Sequence, residues 1–452
     1  MSENHWKERF KARYKPLLKD GYDAFEGAMS APKARHIRIA QCRSVNYLPE
    51  ISECAAVTPV EGYKGVFKVA DGEDIVSSLS FQTGGAYIMN PSSVVPAQIL
   101  AELVGDNPFI LDVSAAPGGK TCAISDFVGR KGFIVANEMS SSRLKSLNFN
   151  LEKYGCGNVK TISADGRLLS KFFKNTFDGI LLDAPCSNEN KIFRNKTVQA
   201  QWSPELVERM AALQRQLLTS AFDCLVEGGV LVYSTCTLSL EENELAVKYL
   251  LDTAPDAELI PSPYFAGGGL SGYSSIDEKV ARIMPHIYSV DGFFVAVIAK
   301  KGVLKQRQEQ KPQKLTSLQK DFFKNYFNTV PSWLLVTDDG KNGYWEVCPQ
   351  EFSKVPFKRK GLSLYKHAGN KAELTSQGAW EFSQYIRHDE KTFISKNDAQ
   401  NYLKGFDLPL MAEYKGRALF YNGIAIGTTK VAHNVLKNKL DRYFLYGKNI
   451  EW

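Results

Sequence analysis

From residue 109 to residue 300 the chain alternates short apolar runs with longer amphipathic stretches, and this pattern restricts its fold more than any other feature. Phe109-Ile-Leu-Asp-Val113, Phe133-Ile-Val-Ala136, Val159-Lys-Thr-Ile162, Gly179-Ile-Leu-Leu182 and Val230-Leu-Val-Tyr233 read as buried strands. Helical patterns cover Lys120–Val128, Arg143–Tyr154, Pro204–Leu225 and Glu241–Leu251. Strands that alternate with helices build βαβ units, so an α/β fold with a mostly parallel, doubly wound sheet is expected. Phe293-Phe-Val-Ala-Val-Ile298 is expected to close that sheet, and the Pro-, Gly- and Ser-rich residues 254–275 to form a loop.

In an open α/β sheet the carboxyl ends of the strands line the ligand crevice, so the residues after each strand carry the information. The first strand runs into Ser114-Ala115-Ala116-Pro117-Gly118-Gly119-Lys120-Thr121 at the start of a helix. Small residues let a ligand approach the backbone, and a helix N-terminus offers free N–H groups to a carboxylate. Glu138 ends the second strand, where an acidic side chain can grip ribose hydroxyls. Asp165 follows the third, placed to accept from an adenine amine, and Asp183 ends the fourth. Neither G-x-G-x-x-G nor G-x-x-x-x-G-K-[ST] occurs at the turn. One carboxylate per strand end without a phosphate cradle suits S-adenosylmethionine, which carries no phosphate.

Two cysteines follow strands with small polar neighbours, in Asp183-Ala-Pro-Cys186-Ser187 and Ser234-Thr-Cys236-Thr237. Cys122, Cys156 and Cys224 read as small buried hydrophobes. Cys186 and Cys236 differ, because at strand ends a thiolate can form and be used. The two can face one pocket although 50 residues separate them.

The eight cysteines include no C-x-x-C pair, which disfavours a zinc site or a secreted disulfide scaffold. The N-terminus is charged from the outset, and no apolar run reaches the roughly 18 residues a membrane span needs. A cytoplasmic protein with reduced thiols is expected. Net charge is +7, and residues 1–47 hold ten Lys/Arg against five Asp/Glu, residues 300–324 eight against two. Such clusters are either solvated surface or a footprint for a polyphosphate backbone.

Outside the alternating region, Trp6, Phe10, Tyr14, Leu17 and Leu18 mark an amphipathic helix, and Arg35-His-Ile-Arg-Ile-Ala40 alternates like a strand. A buried helix is expected from Pro91 to Leu100. Beyond Lys301, the Lys/Gln-rich Lys305–Lys311 reads as a linker, and residues 315–375 as a small α+β unit. Arg417–Gly427 reads as two strands about an Asn422-Gly423 turn, and Lys437–Tyr446 is both basic and aromatic.

Ser114–Thr121, Asp183–Ser187, and Ser234–Ser239 followed by Glu241-Glu-Asn-Glu244 resemble the signatures of RNA 5-methylcytosine methyltransferases of the Nol1/Nop2/Sun group. Gln201-Trp-Ser-Pro-Glu205, Gln214-Arg-Gln216 and Gly292-Phe-Phe-Val-Ala296 match as well, so the resemblance spans roughly residues 80–300. It implies a Rossmann-like class I methyltransferase core and a plan like that of bacterial small-subunit rRNA enzymes. That plan has an N-terminal RNA-binding region (1–100), the catalytic domain (101–301), a first C-terminal domain (302–375) and a PUA-like RNA-binding domain (376–452). By the same resemblance Cys236 is the nucleophile that adds to cytosine C6, and Cys186 assists breakdown of the adduct. Asp183 would hydrogen-bond the N3/N4 edge of the base, with Lys120 either orienting Asp183 or contacting the base. Ser114 to Lys120, Glu138, Arg143, Asp165 and Asp183 would hold the methyl donor. The implied partner is rRNA or a ribosomal subunit bound by a monomer. A tRNA substrate, or a non-catalytic RNA-binding assembly factor, are the alternatives. The chain departs from the family in carrying Ser114 where a Cys is usual. It also carries Asn188-Glu-Asn-Lys-Ile-Phe-Arg194, with what looks like one extra residue, in place of a Gly-rich step.

Overall fold

The computed structural model describes residues 5–129, 132–307 and 314–445. Helices α1 (His5–Leu18) and α2 (Tyr22–Ser30) lead into a four-stranded antiparallel sheet. Its strands are β1 (His36–Ile39), β2 (Val57–Pro59), β3 (Val66–Val69) and β4 (Ala86–Ile88), in the order β2-β3-β1-β4. Helix α3 (Pro91–Leu103) starts where its sequence says it should: the Asn90 side chain accepts from Ser92 N at 3.1 Å and Pro91 occupies the first turn. Its Val94, Val95, Ile99 and Leu100 are buried on more than one side because the helix lies against the large sheet.

That sheet contains β5 (Phe109–Asp112), β6 (Phe133–Asn137), β7 (Val159–Ile162), β8 (Phe177–Asp183) and β9 (Leu225–Thr235), all parallel. They stand in the order β7-β6-β5-β8-β9. Helices α4 (Gly119–Phe127), α5 (Ser141–Lys153), α6 (Pro204–Cys224) and α7 (Glu244–Thr253) cover its faces. With both faces covered, the central strands carry apolar runs such as Ile180-Leu-Leu182 and Val230-Leu-Val-Tyr233, which is why they stood out in the sequence, while β7 buries Lys160 and Thr161 as well. Successive strands step one way from β5 to β7 and the other way from β8 to β9. The chain reversal between β5 and β8 opens the crevice where such sheets bind ligands.

The far edge differs from expectation. Residues 254–275 are not all loop, because they contain β10 (Ala257–Ile260). Together with β11 (Ala281–Ile283) it pairs antiparallel with β12 (Phe293–Lys300), which in turn pairs antiparallel with β9. The sheet therefore ends at β10, not at β12. Of β10 only Leu259 is buried, so this edge strand has neither an apolar run nor a clear alternation to betray it.

Arg307 docks the start of the expected linker onto the sheet: its guanidinium lies 3.8 Å above the Phe109 ring and donates to Asp178 Oδ2 at 2.8 Å. The rest of that linker from Gln308, and Tyr446 near the C-terminus, lie outside the described residues. Helix α8 (Ser317–Tyr326) carries a capping box between Thr316 and Gln319. An antiparallel sheet of β13 (Val336–Asp338), β14 (Asn342–Trp345), β15 (Leu362–Ala368) and β16 (Lys371–Leu374) follows. The last unit is a five-stranded curled sheet of β17 (Lys391–Phe393), β18 (Leu408–Pro409), β19 (Ala418–Tyr421), β20 (Ile424–Ala432) and β21 (Val435–Asn438). The β19–β20 turn is the two-residue Asn422-Gly423, both at positive φ (45° and 81°). Among the described residues no helix is long and apolar enough to cross a membrane.

Three of these units meet at one buried arginine. Arg43, following β1, donates from Nε to Glu381 (3.0 Å), from Nη1 to Thr83 O (2.8 Å) and from Nη2 to Lys153 O (2.9 Å). Gly155 passes so close that a Cβ there would sit 2.2 Å from Glu381 Oε2. Next to this tie Lys153 is itself buried, and desolvation followed by the Arg43 charge pulls its ammonium down to about 7. The Phe81 face, 4.3 Å from Nζ, offsets only part of that. In the unfolded chain the same lysine titrates near 10.4, so between those values the unfolded state binds the extra proton and stability rises with pH. Lys153→Met should therefore be the more stable protein by a few kcal/mol at and below neutral pH, with the advantage shrinking as pH climbs towards 10. Paired urea titrations across that range check it, and a pH-independent difference would contradict the assignment.

Candidate active site

The turn after β5 is tied down from three sides. Ala115 N donates to Asn137 O (2.9 Å), Arg143 Nη2 to Ala116 O (2.7 Å) and Asn150 Nδ2 to Pro117 O (2.8 Å). Gly118 caps α4 at φ 110°, a conformation side chains avoid, and a Cβ at Gly119 would press 3.2 Å from the Tyr87 ring. Asp112 at the end of β5 accepts from Thr121 Oγ1 at 2.6 Å, and burial pushes its carboxyl up to about 7. Asn137, not singled out from the sequence, joins the ends of three strands: it donates to Val113 O and Ala164 O and accepts from Ala164 N, each at 3.0 Å.

Above the strand ends lies a cavity of about 690 Å³, lined by Ser114, Ala116, Glu138, Arg143, Asp165 and Asp183 together with Cys186 and Cys236. Ala115, Pro117, Gly118, Gly119 and Lys120 shape the turn beneath and do not line it. Glu138 accepts from Ser140 N at 2.8 Å and stands 3.4 Å from Arg143. Asp165 is gripped by Arg167 (Nη2 to Oδ2, 2.6 Å), and hydrogen bonding from that guanidinium holds its carboxyl below the usual range. Leu213 and Leu217 of α6 and Pro185 supply an apolar wall. Strands lie roughly 4.8 Å apart, so the crevice from β7 to β9 spans about 19 Å. Carboxylates stand on its β6–β7 side, an apolar wall beside them and sulfurs on its β8–β9 side. That donor set fits a nucleoside joined to an amino-acid tail, with its reactive end towards the cysteines.

The thiols sit together. Cys186 Sγ and Cys236 Sγ are 3.2 Å apart, both half-buried. The contact with Cys236 and then burial push the Cys186 thiol well up. Beside them Asp183 accepts from Lys120 Nζ at 2.7 Å and from Ser234 Oγ at 2.9 Å. Lys120 also stands 5.2 Å from the Phe293 ring centre.

Two buried glutamates support the cysteine loops, and sequence reasoning missed their role. Glu189 accepts from Tyr14 OH (2.6 Å), Trp202 Nε1 (2.8 Å), Thr237 Oγ1 (2.7 Å) and Leu238 N (2.9 Å). Glu242 accepts from Ser187 N (3.0 Å), Gln214 Nε2 (2.9 Å) and Ser239 Oγ (2.9 Å). Burial and then the neighbouring Glu189 push the Glu242 carboxyl up to about 7. Glu242 lay inside the Glu241–Glu244 run, and Glu189 inside the atypical loop, but their partners are distant in sequence. Phe10 and Tyr14 of α1 pack with Phe193, Trp202 and Leu238, so the N-terminal helices buttress the same loop.

A family model described as 16S rRNA methyltransferase RsmB/F matches residues 98–299, and one described as methyltransferase RsmF PUA domain matches residues 390–446. The ribosomal RNA small subunit methyltransferase F of Klebsiella pneumoniae (strain 342) is 31% identical over 98% of this chain and 97% of its own. A crystal structure of a methyltransferase homolog protein from Pyrococcus horikoshii covers 64% of this chain and 94% of its own, with a TM-score of 0.57 and 28% identity. NSun6 from Pyrococcus horikoshii, solved with SFG, gives a TM-score of 0.57 over 64% of this chain and 97% of its own, and its 22% identity speaks for the fold alone.

Glu189→Gln should test the support of the loops. A carboxamide offers one oxygen where two are needed, so its NH₂ must face a donor. The variant should lose about 1–3 kcal/mol of stability in urea unfolding, and an unchanged midpoint would show that the four hydrogen bonds do not hold the loop.

Proposed function

Because the chain belongs to the 16S rRNA methyltransferase RsmB/F family, we propose that it methylates C5 of a cytosine in small-subunit rRNA through a covalent enzyme–base adduct. The observation that carries this reading is the pair of sulfurs 3.2 Å apart at the cysteine side of the cavity. S-adenosylmethionine is the methyl donor, and when bound it supplies an electrophilic methyl group. The Ser114–Lys120 turn, Arg143 and Glu138 would hold its tail and ribose, and the lone pairs that Arg167 leaves on Asp165 would accept from its adenine amine.

Cytosine C5 is a poor nucleophile until C6 is attacked. As the Cys236 sulfur adds to C6, its thiol proton passes to N3, so the ring stays neutral and C5 gains enamine character. Asp183 stands at the N3/N4 edge, fixed by Lys120 and Ser234 so that its carboxylate accepts from the base instead of turning away. After methyl transfer the N3 and C5 protons pass to solvent, the C5–H electron pair forms the C5–C6 double bond, and the C6–S pair returns to Cys236, which is reprotonated. Cys186, at 3.2 Å, assists this release. The target base must leave its stack, at about a few kcal/mol. Contacts from residues 1–100 and from the C-terminal unit 376–452 to the RNA backbone would offset that cost.

Cys236→Ala is expected to abolish methyl transfer while leaving RNA binding nearly intact. Cys186→Ala should accumulate an RNA–protein adduct that survives denaturant. Bisulfite sequencing of total RNA from cells with and without the protein should reveal one protected cytosine in small-subunit rRNA. Methylation retained by Cys236→Ala would transfer the nucleophilic role to Cys186.

A further inference from the structure

We propose that Asn188 is a positioning residue that latches the Cys236 thiol in the resting enzyme. Asn188 adopts the left-handed conformation (φ 58°, ψ 32°), which asparagine and glycine tolerate better than other residues. It lies on the rim of the cavity beside both cysteines, with its side chain exposed. Nδ2 donates to the Cys186 carbonyl oxygen at 3.1 Å, and Oδ1 lies 3.2 Å from Cys236 Sγ. The carbonyl can only accept, so the amide nitrogen must face it and the amide oxygen must face the sulfur.

An amide oxygen accepts from S–H and has no proton to offer a thiolate. The contact therefore exists with the sulfur protonated and must open before that sulfur can attack. The next residue, Glu189, is fully buried and bound by four donors, and Asn190 N donates to the Cys236 carbonyl at 3.3 Å. The backbone thus delivers the carboxamide to a fixed place, while the side chain is free to swing into solvent when a base enters.

The proposal rests on Cys236 being the nucleophile, but its test reads sulfur reactivity and not methyl transfer. The full-length protein, without RNA or methyl donor, is treated with iodoacetamide at neutral pH, and carbamidomethylation of the Cys236 and Cys186 peptides is followed by mass spectrometry. Asn188→Gly keeps the backbone conformation and deletes the latch, so Cys236 should react about two- to fivefold faster, the worth of one modest hydrogen bond, with Cys186 unchanged. Asn188→Asp keeps one oxygen at the sulfur and adds a negative charge beside it, its second oxygen taking the place of Nδ2 near the Cys186 carbonyl. The charge disfavours the thiolate, so Cys236 should react more slowly than in the wild type. In methyl transfer the same variant should lower kcat at an unchanged KM for RNA. Equal Cys236 rates in all three proteins would overturn the latch. So would joint acceleration of both cysteines in Asn188→Gly, or acceleration of Cys236 in Asn188→Asp, since either means that the loop merely loosened. Methylation surviving in Cys236→Ala would remove the nucleophile reading and leave the alkylation contrast standing on its own.

Discussion

The parallel pairing of β8 with β9 is the constraint on which the site depends. Asp183 stands opposite Ser234 in that ladder, and Ala184 N continues it by donating to Ser234 O at 2.9 Å. This register brings two cysteines from loops 50 residues apart to within 3.2 Å of each other. Because side chains alternate along a strand, a one-residue slip in either partner would turn Ser234 away from Asp183 and carry the sulfurs out of alignment. The hydroxyl, the carboxylate and the thiols are positioned by a single run of backbone hydrogen bonds.

Around that ladder the protein keeps its charge buried at some cost. Glu189 and Glu242 lie close together below the cysteine loops, each fully buried. Their repulsion is offset by the number of donors directed at them, from α1, α6, the Trp202 indole and the loops themselves. Removing one oxygen would leave several donors unsatisfied, an arrangement that stiffens the loops more than a packed apolar contact would. The cavity above can then present carboxylates on one side and sulfurs on the other with little rearrangement of the frame.

The sequence made the middle of this chain easy to read and its joints hard. Strands covered on both faces are built around short apolar runs, so β5 to β9 were visible, whereas β10, half open at the sheet edge, was not. Strand ends also pointed to Glu138, Asp165, Asp183 and the two cysteines as neighbours, and all five line one cavity. The sequence did not show that Arg167 already holds Asp165, nor that Tyr14 reaches Glu189 from 175 residues away. Contacts of that span leave no local pattern. Asn188 was visible only as an unusual residue where the family has a Gly-rich step, and its position between two sulfurs came from the fold.

Arg43 has a consequence for how the molecule comes apart. It joins β1, the end of α5 and Glu381 of the C-terminal half, with Arg43 and Glu381 both about 1% exposed. Peeling one unit from the others would break that buried pair and open the continuous apolar cluster that runs from Ile37 and Leu79 through Trp345 and Trp380 to Phe420 and Leu436. The pieces are therefore coupled in their melting: heat or denaturant should dismantle them in one cooperative transition, and the terminal unit behaves as part of the frame and not as a module on a tether.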